Sequence, residues 1–177
     1  MRRRRVIACL AVAPVAAGAG ALALGASSGG PPDLRGIPAK DARAVAGYRG
    51  WQPLAERPVA SLRPLGSAHV GGVHRVYVNR TRAQLSRGGA QRFPYPKGSV
   101  VVKEGLDGGS LELIAIMRKV AAGSGVGSWS YVEYTRASGT GPFSRVSAPS
   151  SVCTTCHLNA NSKQRTDWVF YSLTSRR

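Results

Sequence analysis

The apolar and polar positions of this 177-residue chain fall into three regimes. Residues 6–25 are a run of small apolar residues that includes Pro14. Residues 27–43 are rich in Gly and Pro, which predicts a linker with little fixed structure. Beyond them short alternating stretches dominate, the period of half-buried strands. "HRVYVN" (residues 74–79) alternates and is β-branched, and "SVVVKE" (residues 99–104), launched by the turn chemistry of "FPYPKG", is the cleanest strand. "LDGG" turns into "LELIAIMRK" (residues 111–119), "AAGSGVG" leads to the aromatic alternation "WSYVEYT" (residues 129–135), and "DWVFYSL" (residues 167–173) comes near the end. Two helical signals stand among them. Asp41 reads as the cap of a short helix reaching Tyr48, and Asn79 as the cap of a two-turn helix that Gly88 and Gly89 would stop. The fold class predicted is mainly β (α+β), an antiparallel sheet with one or two short helices.

The N-terminus adds a compartment. MRRRR ahead of the apolar run, with small residues near its end, makes a secretory signal. A run of about 20 residues would just cross a bilayer, but its Ala and Gly content and Pro14 make a poor permanent span. Val6-Ile7-Ala8-Cys9 resembles a lipoprotein box, yet too little apolar sequence precedes it to serve as a signal. The chain therefore divides into a signal peptide (1–26), a flexible linker (27–46) and one domain (47–177), exported to the periplasm or the outer face of the cytoplasmic membrane. Roughly 130 to 150 residues suffice for a single core.

Formal net charge is +17; without the arginines at positions 2–5, 21 basic residues stand against 8 acidic ones. That balance favours anionic partners or surfaces. The arginines are scattered, with no Tyr or Trp interleaved as in a nucleic-acid groove, so no nucleic acid is expected.

Once Cys9 leaves with the signal, both remaining cysteines, Cys153 and Cys156, lie in C-T-T-C-H, with His157 directly after. C-x-x-C-H is the attachment signature of c-type haem. Each thiol would add to one vinyl group, and the adjacent histidine would give iron an axial nitrogen. A zinc half-site would need two more ligands, and only His69 and His74 remain. A redox C-x-x-C would open a helix after a strand, whereas this motif reads as a polar loop. A chance match is the third alternative.

Taken in order, "YRGW", "HRVYVN", "YPKGSVVVKE", "WSYVEY", "CTTCH" and "TDWVF" resemble the cytochrome P-460 family, which includes the β-sheet cytochromes c′. The similarity runs from about residue 48 to residue 170. It implies a β-rich homodimer carrying one covalently attached haem c, with His157 as the proximal iron ligand and an open sixth position. The small ligand would be nitric oxide or hydroxylamine. In the hydroxylamine-oxidising members a strand lysine bonds to the haem ring, and the matching residue is Lys103.

Alternation independently sets Ser99, Val101 and Lys103 on one face, so that Val101 and Lys103 would meet the haem edge together. Catalytic members also carry a distal carboxylate on the following strand. The matching position here falls on Ile114, with Glu112 two residues earlier on the same alternation face. An apolar wall at Ile114 cannot relay protons, which tilts the expectation toward gas binding over hydroxylamine oxidation. A simple electron-transfer cytochrome is a further alternative. Met117 and His74 read as packing or surface residues rather than sixth ligands, and His69 as a loop residue.

Overall fold

The computed structural model describes residues 30–56, 73–137 and 139–173. The signal segment, the first linker residues and His69 lie outside the described residues. Helix α1 (Ala39–Ala44) and a 3-10 turn (Tyr48–Gly50) lead into β1 (Gln52–Glu56). Next come β2 (Val73–Val78), helix α2 (Arg82–Leu85), and a hairpin of β3 (Ser86–Arg87) and β4 (Ala90–Gln91). The long strands β5 (Val100–Asp107), β6 (Ser110–Lys119) and β7 (Trp129–Thr135) follow, then β8 (Ser144–Arg145), helix α3 (Ser150–Gln164) and β9 (Tyr171–Ser172). Seven strands form one sheet in the order β8-β7-β6-β5-β2-β1-β9. All of its pairings are antiparallel. The mainly β class is as the alternation predicts.

Both predicted helix caps are spent elsewhere. α1 starts after Pro38, and Asp41 sits in its first turn. The Asp41 carboxylate reaches the sheet instead, accepting from Arg118 Nη2 at 2.7 Å and from the Tyr134 hydroxyl. Asn79 likewise bonds across to the start of β5, accepting from Val100 N at 2.7 Å and donating to Gly98 O at 3.2 Å. The cap of α2 is Thr81, in a reciprocal box with Gln84. This helix is one turn long, because Gly88 and Gly89, at φ 58° and 80°, make the tight turn of the β3–β4 hairpin. The described part of the linker is also packed, contributing buried Ile37 and Val45 to the core.

The sheet is covered on both faces, which is why its central strands read as near-continuous apolar runs. One face carries Val76, Val78, Val101, Met117 and Trp129, and the C-terminal residues Trp168, Val169, Tyr171 and Leu173 pack against it. The other carries Tyr77, Val102, Ile114, Ile116 and Tyr134 under Ile37, Val45 and Tyr48. The first of these faces meets the cysteine motif.

Candidate haem site

Residues 150–164 are a helix, not the polar loop expected. The sequence SSVCTTCHLNANSKQ has no apolar stripe, so periodicity gives no helical signal there. Its order rests on local bonds, with Val152 N donating to Pro149 O at 2.9 Å and Thr154 Oγ1 to Ser150 O at 3.0 Å. It also rests on what the His157 side chain touches. Helical spacing sets Cys153, Cys156 and His157 at i, i+3 and i+4, on one face.

The His157 ring lies between Tyr131 of β7 (centroids 5.0 Å apart) and Phe170 (5.2 Å). Its Nδ1 is 2.6 Å from the backbone oxygen of Trp168. A carbonyl only accepts, so the proton belongs on Nδ1 and the lone pair on Nε2. This is how proteins orient an imidazole that ligates a metal.

The two thiols are half-buried, and burial pushes both above the ordinary thiol value. The Glu133 carboxylate raises Cys153 further, while the Lys103 ammonium opposes the rise at Cys156. An exchanging dithiol has the opposite requirement, a lowered pKa. Among the described residues no group of three His, Cys, Asp or Glu is arranged to hold a metal ion, so the zinc reading finds no further ligands. The donor set fits haem better: paired thiols, an adjacent oriented imidazole and aromatic walls.

Below α3 the sheet presents an ordered row. Lys103 of β5 pairs with Ala115 of β6, and Ala115 with Glu133 of β7. Directly opposed residues share a face, so this row stands beside Val101, Met117 and Tyr131, on the side that α3 covers. Lys103 Nζ also lies 5.7 Å from the Tyr171 ring. Lys103 and Val101 thus share the expected face.

Ile114 does not. It pairs with Glu104 and Tyr134 and is fully buried among Tyr48, Tyr77 and Val102, behind the sheet. The apolar distal wall assigned to it has no basis in the register. Glu112 sits at a bulge, since Leu113 opposes Gly105 and Leu111 opposes Leu106, three residues along β6 from Ala115 and outside the Lys103 row. Met117 is a buried core residue, and His74 pairs with Gly105 near the start of β2. Glu133 is a carboxylate on the α3 side of the sheet that sequence reasoning did not single out. "WSYVEYT" alternates cleanly and shows Glu133 sharing a face with Trp129 and Tyr131. It does not show which face.

No curated protein and no solved structure matches this chain. The cytochrome P-460 family model matches residues 45–171, well over half of the chain and everything from the end of α1 to β9. The chain therefore belongs to the cytochrome P-460 family and is a haem-binding cytochrome.

Proposed function

We propose that this protein is an exported mono-haem c-type cytochrome that oxidises a small hydroxylated amine such as hydroxylamine. Cys153 and Cys156 would hold the haem through thioethers, each thiol adding across a vinyl group, and His157 Nε2 would be the protein's one iron ligand. Bound there, the haem would supply a redox-active iron able to take a small ligand.

The observation that carries this reading is the row Lys103–Ala115–Glu133 on the side of the sheet that α3 covers, with a charge at each end. Lys103 and Glu133 would be the charged groups beside the haem, with small Ala115 between them in the row. Oxidising an N–H or O–H group releases protons, and a carboxylate at hydrogen-bond reach accepts them. Glu133 takes that role, which the sequence left to Ile114 or Glu112. Electrons would leave to an acidic redox protein drawn by the basic chain.

Reversible nitric oxide binding is the second reading. It is favoured by His157, whose Nδ1 has a fixed acceptor, and by the small side chain of Ala115 in the row. Two measurements separate the readings. A pyridine haemochrome with both vinyls saturated is expected for the purified protein. Glu133→Gln should then lower hydroxylamine-dependent reduction of an artificial acceptor by about a hundredfold, the low end for general base catalysis, while nitric oxide still titrates one site per haem. Oxidation that is absent in the parent protein would put ligand binding first, and oxidation undiminished in the variant would remove Glu133 as the base.

A further inference from the structure

The hydrogen bond that orients His157 is anchored in an unusual place. Its acceptor, Trp168 O, belongs to a turn in which Arg165, Asp167 and Trp168 all have positive φ, at 51°, 52° and 71°. None is glycine, and such conformations persist only where the surroundings over-determine them. Here the surroundings are a buried ion pair. Lys119 Nζ contacts both Asp167 oxygens at 2.7 and 2.8 Å, and the two side chains are wholly buried. Tyr95 N donates to Asp167 Oδ2 at 2.8 Å. Lys119 also donates to Gly123 O and Ser128 Oγ, and Trp168 Nε1 to Ser124 O. The end of β6, the β6–β7 loop and the turn below α3 are thereby tied into one polar knot, adjoining the His157 acceptor through a single peptide unit.

We propose that Lys119 and Asp167 are positioning residues for the iron ligand: their buried pair fixes the Trp168 carbonyl, and so the strength of the His157 Nδ1–H bond. The inference rests on the haem reading above. A hydrogen bond at Nδ1 gives the imidazole imidazolate character and makes Nε2 a stronger donor, which favours ferric over ferrous iron. A purely structural ion pair would set stability and leave the iron alone.

The test is made on the intact haem protein. Asp167→Asn keeps the shape and the acceptor for Tyr95 N but removes the charge that draws Lys119. Lys119→Met/Asp167→Asn removes the ammonium as well and leaves no uncompensated buried charge, which serves if the single variant folds poorly. The readouts are the iron–histidine stretching band of the ferrous protein by resonance Raman and the reduction potential. The band should move to lower frequency. The ferrous-to-ferric ratio at fixed potential should rise about tenfold, the low end for outer-shell partners of a metal ligand, a shift of about 59 mV for one electron. Arg49→Met, which breaks the buried Glu104 pair behind the sheet, is the control and should leave the band in place.

A potential that rises while the band stays fixed would overturn the proposal, because loss of a nearby charge alone does that. So would an Arg49→Met band that moves as far as the Asp167→Asn band. A parent protein without an iron–histidine band would instead refute the haem reading on which the proposal stands.

Discussion

Tyr48→Phe tests how the sheet holds its register. Glu104 is fully buried, and its Oε1 accepts from the Tyr48 hydroxyl and from Arg49 Nε at 2.6 Å, while Oε2 has no hydrogen-bond partner among the described residues. Removing the hydroxyl deletes a bond to a charged acceptor, worth about 1.5–3 kcal/mol. Phe fills nearly the same volume, so little cavity cost is added. At about 3–4 °C per kcal/mol for a domain of this size, Tm should fall by roughly 5–12 °C. The loss has a pH signature. Burial first, and then the bond to the Glu104 carboxylate, hold the Tyr48 phenol far above its ordinary value. A folded pKa above the unfolded one contributes stability that is complete below about pH 10 and is lost as pH rises, here by about 1.4 kcal/mol per pH unit. The variant lacks that loss, so the gap between the two proteins should narrow by about 2 kcal/mol between pH 10 and 11.5. Urea unfolding of the haem-loaded proteins at pH 7.5, 10 and 11.5 measures it. An unchanged Tm at neutral pH, or a gap that stays constant into the alkaline range, would refute the reasoning. The cluster matters to the site because Glu104 adjoins Lys103. Burying one side chain behind the sheet obliges the next to face α3.

Two further outcomes follow from the site. Cys153→Ala/Cys156→Ala should retain no haem after acid–acetone extraction, and tightly held haem in that variant would refute the attachment. Lys103→Met should preserve haem content while shifting the ferrous absorption band toward that of an ordinary c-type haem, if the amine bonds to the ring. An identical ferrous spectrum before and after the change would exclude such a bond.

Local chemistry carried a good deal of this protein in the sequence itself. The attachment signature at Cys153, Cys156 and His157 is a spacing of adjacent residues, and nothing distant is needed to read it. The strands at residues 74–79, 99–104, 111–119 and 129–135 were legible because β-branched and aromatic alternation is a property of each segment alone. Caps failed where a side chain had two possible partners. Asp41 and Asn79 suit a helix start, but in the folded chain each bonds to the sheet. α3 was illegible for another reason: a polar helix with no apolar stripe leaves no period to find, and its order comes from contacts of His157 with Tyr131 and Phe170. That Ile114 lies behind the sheet and Glu133 on the side of α3 could only be seen in three dimensions. Alternation tells which residues of one strand share a face, but not which face of the next strand they join. That depends on cross-strand register, and a slip of one residue reverses it. The pairings of Lys103 with Ala115 and of Ala115 with Glu133 bring together two charges 30 positions apart, and the bulge at Glu112 lies outside that row. The same holds for the buried pair of Lys119 and Asp167, 48 positions apart. Its partners are selected by desolvation, because a charge carried into the core must find its complement there, wherever in the chain it lies.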